Sequence, residues 1–318
     1  MILHLTCHSN YSLQEGLATP AELVQAALEH GMSTLGLTDH NLLTGSVEFV
    51  TACRDAGIQP ILGLEIDFDG SPLQLLATSF DGWSNLCRLS SAIALDTPCS
   101  LDLLASHAKD LIALSGNPKP LVDIFGDCLY FALSDPAQAI PNSVHPVAVH
   151  PIYYLHPEQA ALQRTLTAIR LNQTVDKVPV RSGMHFLSLQ EMERRFAGFP
   201  EALSATNEIA ERCRFDFPLG VPHMPTVPLP EGVTAAEHLR EKAFAGARKL
   251  YGELTPEIQS RLNHELETIA RMGFEPIFLI VEDILNFARE TGVPFSSRGS
   301  AASSLVAHCL GITSPDPL

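Results

Sequence analysis

Apolar and polar positions change period several times along this chain, and each change marks an element. ILHLTCH (residues 2–8) reads as a strand. Thr19-Pro20-Ala21-Glu22 then supplies a helix start, with Thr19 as N-cap, Pro20 in the first turn and Glu22 placed to complete a capping box. LVQAALEH follows, with Leu23, Ala26 and Ala27 on one face, and Gly31 suits a left-handed stop. TLGLTDH predicts a second strand, SVEFVTACRDA a helix ending at Gly57, and QPILGLEIDF a third strand. Strands separated by helices in this way predict a parallel sheet. Further strands are expected at PLQLLAT (72–78), DLIALSG (110–116), CLYFAL (128–133) and HPVAVH (145–150). The expected class for residues 1 to about 200 is α/β, as a barrel or an open parallel sheet.

The pattern breaks between 215 and 232, where Pro218, Pro222, Pro225, Pro228 and Pro230 forbid both helix and central strand. This divides the chain into 1–214, a connector over 215–232, and 233–318. Beyond the connector the periodicity is helical. Thr234 to Glu237 form a second capping box before a helix to Tyr251. Thr255-Pro256 open another, with Ile258, Leu262, Leu266 and Ile269 in one stripe before Gly273, and a further helix is expected from about 278 to 291.

Composition adds two constraints. The net charge is −16, from 20 basic and 36 acidic residues, and residues 1–157 hold only 4 of the basic ones against 16 acidic. A free-standing nucleic-acid binder needs a basic face, so the first half is not one. Seven scattered cysteines without a CxxC pair read as reduced thiols. The N-terminus has no signal-peptide pattern and no stretch reaches membrane-spanning length. A soluble, cytoplasmic chain is the expectation.

Candidate chemistry gathers at the ends of the first three strands: His8, then Asp39 with His40, then Glu65. In parallel α/β barrels that rim carries the functional side chains, and two imidazoles with two carboxylates suit Zn²⁺ or Mn²⁺. The alternative is that Asp39 caps the next helix or turn and Glu65 faces solvent. His4 lies on the same strand face as His8, and His150 is a further candidate near a late strand end. A second constellation is the small-residue run Ser296 to Ser304, containing Arg298 and leading into LVAHCLGI. It suits an anion such as a phosphate, or simply close backbone packing.

Two segments carry a family resemblance. HSNYSLQEGLATPAELVQAALEHGMSTLGLTDHNLLTGSVEF with PILGLEI resembles the start of a PHP (polymerase and histidinol phosphatase) domain. FLIVEDILNFARETGVPFSSRGSAASSLVAHCLGITSPDPL resembles the opening of the polymerase core of bacterial C-family DNA polymerases. The resemblance implies a distorted seven-stranded barrel with a metal cluster on its rim, followed by a helical segment that opens a polymerase palm. His8, Asp39, His40 and Glu65 match metal ligands of that family, and His150 is placed to help them. Thr6, Pro72, Ala132, Pro151 and Tyr153 stand where active members carry further ligands, which implies a partial site and little hydrolase activity. Arg298, Gly299 and Ser300 match a motif that holds the incoming nucleotide's triphosphate.

The catalytic aspartates of that family, which bind two Mg²⁺ ions, lie beyond the motif, and no such pair precedes Leu318. The expectation is therefore part of a polymerase. Its partners would be the remainder of the enzyme or a separate polymerase polypeptide, DNA and dNTP in the full enzyme, and proofreading or clamp-associated subunits. The competing expectations are a stand-alone PHP-type phosphoesterase or 3′-5′ exonuclease, and a non-catalytic docking scaffold.

Overall fold

The computed structural model describes residues 3–318. They form two compact units, one reaching Leu219 and the other spanning Gly220–Leu318.

The first unit contains α1 (Pro20–Glu29), β1 (Thr34–Leu37), α2 (Ser46–Ala56), β2 (Gln59–Phe68), β3 (Ser71–Ala77) and α3 (Phe80–Ala94). It continues with α4 (Leu101–His107), β4 (Leu111–Ser115), α5 (Val122–Phe125), β5 (Leu129–Leu133) and β6 (His145–Ala148). Helices α6 (Ala160–Arg170), α7 (Leu189–Arg195) and α8 (Pro200–Arg212) close it. The expected capping box at Thr19 and Glu22 is formed, and Gly57 stops α2 at a φ of 69°.

The six strands lie in sequence order in one curled sheet. Two features depart from expectation. β3 is antiparallel to both β2 and β4, so the sheet is mixed. The cause is local: Asp69 and Gly70, with φ of 50° and 71°, make a two-residue turn that joins β2 directly to β3. A connection that short can only return the chain antiparallel. The second departure is the strand count, six among the described residues rather than seven. Residues 4–8 contribute only isolated bridges, His4 to Leu35 on one side and Cys7 to Ile152 on the other. Their backbone is nonetheless held by both neighbours, with Gly36 N–H donating to His4 O (2.8 Å) and His8 N–H to Ile152 O (2.8 Å). Gly36 permits the approach, since a Cβ there would lie 2.2 Å from Leu5 O.

Leu5, Ile61, Leu76, Leu114 and Val147 fill one side of the sheet, while Leu23, Phe49, Leu37 and Leu62 pack α1 and α2 against the other. β2 is thus buried on both faces, which explains its unbroken apolar run.

The second unit is helical: α9 (Ala235–Tyr251), α10 (Pro256–Met272), α11 (Glu275–Glu290) and the short α12 (Leu305–Cys309), the last preceded by a 3₁₀ turn at Ser300–Ser303. α11 begins three residues earlier than expected. Leu239, Ala243, Leu262, Leu266, Leu279, Leu305 and Val306 make its core. At Gly246 a Cβ would lie 1.9 Å from Cys309 O, so α9 and α12 touch backbone to backbone.

Two buried histidines stabilise the first unit as neutral groups. His4 Nε2 donates to Leu187 O and His150 Nε2 to His185 O, each at 2.8 Å, with ring centroids 5.9 Å apart. Burial pushes their pKa values down, to about 3 for His4 and about 4 for His150. In the unfolded chain both take a proton near pH 6.5, so this contribution is complete above 6.5 and is lost as pH falls, down to about 4 for His150 and about 3 for His4. Over that window urea-unfolding free energy should fall by up to about 2.7 kcal/mol per pH unit for the two groups. His150→Gln should roughly halve that slope while leaving the higher-pH behaviour unchanged.

Candidate functional site

Asp39 follows β1 and is fully buried, which raises its pKa against the pull of its hydrogen bonds. Its Oδ1 accepts from Ser9 N–H (2.6 Å) and Ser12 Oγ–H (2.7 Å), and its Oδ2 from Ser9 Oγ–H (2.7 Å). Ser12 Oγ in turn accepts from His40 N–H (3.1 Å). The carboxylate therefore holds the upstream 9–12 loop rather than capping the helix or turn that follows it. Gly16 completes that loop, since a Cβ there would lie 2.0 Å from Ser9 O.

Beside the loop opens a cleft of about 590 Å³, with Glu15, His40, Glu65, Asp67, Gln74, Tyr153, Arg170 and Arg181 among its lining residues. Glu65 is buried rather than solvent-facing. Its Oε1 lies 3.2 Å from His8 Nε2, a charge contact rather than an aligned hydrogen bond, and its Oε2 accepts from Gln74 Nε2–H at 2.6 Å. The antiparallel hairpin makes this possible by setting Gln74 directly opposite Glu65. Burial alone would raise the Glu65 pKa, but the charge and contact of His8, with Gln74, hold it at about 2. His8 is raised in return, its burial outweighed by Glu65. The His8 ring also stacks on Tyr153, with centroids 4.1 Å apart and planes within 2°, and Arg181 lies over the Tyr153 ring.

His40 is held at both nitrogens, by Glu15 Oε1 on Nδ1 (2.8 Å) and by Asp67 Oδ2 near Nε2 (3.3 Å), and the Glu15 hydrogen bond raises its pKa. Glu15 Oε1 is shared with Arg170 Nη1 at 3.1 Å. Burial would raise the Glu15 pKa, but His40 and Arg170 together lower it.

The structure thus lines one cleft with His40 and Glu65, buries His8 against Glu65 without a place in the lining, and ties Asp39 to the adjoining loop. His150 does not line the cleft; its ring turns to His185 O, because the imidazole is buried where only that carbonyl is available. Thr6 likewise donates to His150 O (3.2 Å). Pro72, Ala132, Pro151 and Tyr153, the positions aligned with missing ligands, all line the cleft. Glu15, Asp67, Gln74, Arg170 and Arg181 were not singled out from sequence. Only Asp67 and Gln74 carried a local signal, through the Asp69-Gly70 hairpin.

A multi-metal centre needs unshared lone pairs converging on a point. Here the carboxylates and imidazoles face one another, and among the described residues no group of three or more His, Cys, Asp or Glu is placed to hold a metal ion. These residues do not fit the metal cluster that the PHP resemblance implies.

In the second unit Arg298, Gly299 and Ser300 are exposed, with Gly299 at a φ of 86°. The N-terminus of α12 is not open to an anion. Glu265 already caps it, accepting from Leu305 N–H (3.1 Å), Val306 N–H (3.0 Å) and Ser304 Oγ–H (2.9 Å).

Residues 4–149 match the sequence profile of the PHP domain, and residues 237–318 that of the bacterial DNA polymerase III alpha NTPase domain. The DNA polymerase III subunit alpha of Bacillus subtilis (strain 168) is 31% identical over 99% of this chain and 32% of its own length. An error-prone DNA polymerase of Symbiobacterium thermophilum is 32% identical over 99% of this chain and 35% of its own length. The alpha subunit of Aquifex aeolicus is 31% identical over 99% of this chain and 34% of its own. The chain is therefore similar to a PHP domain over 4–149 and to a DNA polymerase III alpha segment over 237–318, and it spans about a third of the length of these curated relatives.

Asp39→Asn places an amide N–H₂ where a serine donor now points and should destabilise the first unit by roughly 2–3 kcal/mol. Chemical denaturation at pH 7 measures it, and Asp39→Ala should cost at least as much.

Proposed function

We propose that this chain is a section of a bacterial C-family DNA polymerase in which the PHP domain is a scaffold and the helical unit opens the polymerase palm. The observation that carries this is the similarity to polymerase subunits along 99% of the chain, with both domain matches in order. A stand-alone phosphoesterase leaves residues 237–318 unaccounted for. DNA-templated nucleotidyl transfer, with Mg²⁺ on aspartates outside these residues, belongs to the whole polypeptide. Its partners are the rest of the polymerase, DNA and dNTP, with proofreading and clamp-associated subunits as the wider assembly, in the cytoplasm.

Within this reading the division at 1–214, 215–232 and 233–318 separates scaffold, connector and palm segment. The ions the PHP domain implies are Zn²⁺ or Mn²⁺, for which His8, Asp39, His40 and Glu65 are the inherited ligand positions. Asp39 is consumed by the 9–12 loop and His40 by Glu15 and Asp67, which supports a site too incomplete for hydrolysis. Arg298, Gly299 and Ser300 contribute to triphosphate binding, the guanidinium as a planar cation and the loop through backbone N–H groups.

The purified chain with added Mn²⁺ or Zn²⁺ should release no more phosphate from p-nitrophenyl phosphate, and no more nucleotide from a single-stranded oligonucleotide, than a chelated control. Metal-dependent hydrolysis well above that control would refute the scaffold assignment. In the whole polymerase Arg298→Ala should raise KM for dNTP about tenfold or more with a smaller change in DNA affinity. An unchanged KM would remove Arg298 from the triphosphate site.

A further inference from the structure

The cleft of the first unit holds charges that a PHP domain would ordinarily set around metal ions, yet its side chains neutralise one another. Glu15 is the clearest case. It is buried, sits on the loop that Asp39 organises, and has two partners on a single oxygen, the His40 imidazole at 2.8 Å and the permanently charged Arg170 guanidinium at 3.1 Å. Arg170 is the last residue of α6, and the same helix sends Gln163 toward Glu15 O at 3.5 Å. α6 therefore lies along the 12–16 segment and delivers a permanent cation to its one buried carboxylate. In the same cleft Arg181 covers the Tyr153 ring, which itself stacks on His8. Glu15, Glu65 and Asp67 thus line one cleft with His40, Arg170 and Arg181, and the fully buried His8 meets Glu65 from behind the lining.

We propose that Arg170 is a built-in counter-cation: its guanidinium does for Glu15 and the 9–16 loop what a bound metal ion would do, so the rim holds its shape without one. The inference rests on the PHP reading only for the expectation of a metal. The physical argument is independent of it. A buried carboxylate needs a compensating charge, and although the Arg170 side chain is 31% exposed, it meets Glu15 where the carboxylate itself is shut off from water. Arg is suited to the position because it keeps its charge at any working pH. Arg170 is a positioning residue; it acts through Glu15 and is assigned no chemistry.

The test uses the 318-residue chain, with Arg170→Gln, Arg170→Lys, Glu15→Gln and the Glu15→Gln/Arg170→Gln pair, each melted with EDTA and with equimolar Zn²⁺ or Mn²⁺. The wild type should melt within about 1 °C of the same temperature in all three conditions and carry sub-stoichiometric metal by plasma mass spectrometry. Arg170→Gln should lower Tm by about 5–10 °C, and Arg170→Lys by less than half of that. The double variant should melt above Arg170→Gln, because removing the carboxylate removes the need for its cation. If Arg170→Gln does not fold, a folded double variant makes the same point.

Stoichiometric metal with a raised wild-type Tm would overturn the proposal, as would an Arg170→Gln chain that melts like wild type. So would additive losses in the double variant, or a double variant that also fails to fold. Hydrolytic activity, measured separately, bears on the scaffold reading and not on this coupling.

Discussion

A carboxylate removed from water has to be met by donors or cations, and the rim of the first unit is built around that requirement. Asp39, Glu65 and Glu15 are all buried there, and each is answered differently. Asp39 draws in two serines and so shapes a loop. Glu65 is clamped between an imidazole and an amide across a strand pair. Glu15 recruits a guanidinium from a helix some 150 residues further along the chain. Loop, sheet and helix are each fixed to the rim through one of these groups, so the shape of the cleft is a consequence of charge compensation.

Topology decides which answers are available. The turn at Asp69 and Gly70 reverses β3, and only that reversal sets Gln74 opposite Glu65. A parallel β3 reached by a crossover would have no such register. The mixed sheet is therefore a chemical feature as well as an architectural one, since it supplies a neutral donor in place of a second charged partner.

Much of this was legible in the chain. Local chemistry located α1, α2 and α9 through Thr19, Gly57 and Thr234, because caps and stops act within four residues. Asp39 and His40 were visible for a similar reason, lying just after β1. Glu65, expected at the end of its strand, lies inside β2 because the pairing with β3 carries that strand on to Phe68, and His8 follows only an isolated bridge. What escaped was non-local. Arg170 and Arg181 sit on segments with no feature to distinguish them from any surface arginine, and their meaning appears only when α6 is folded against the 12–16 loop and the segment before α7 against Tyr153 and Tyr154. The strand count failed differently: residues 2–8 have strand composition, but residues 4–8 divide their hydrogen bonds between Leu35 to Thr38 on one side and Ile152 on the other.

The second unit follows the same logic with the signs exchanged. There the groups in need are buried backbone N–H donors at the start of α12, and Glu265 from α10 meets them. A helix N-terminus that already holds a carboxylate offers little to a phosphate. Any triphosphate contact made by this segment must then come from the turn before it, where Arg298 and Gly299 are exposed and the positive φ of Gly299 turns the backbone toward solvent. The close approach of α9 and α12 at Gly246 holds that turn's downstream end in place, so the loop is anchored by packing and left free by charge.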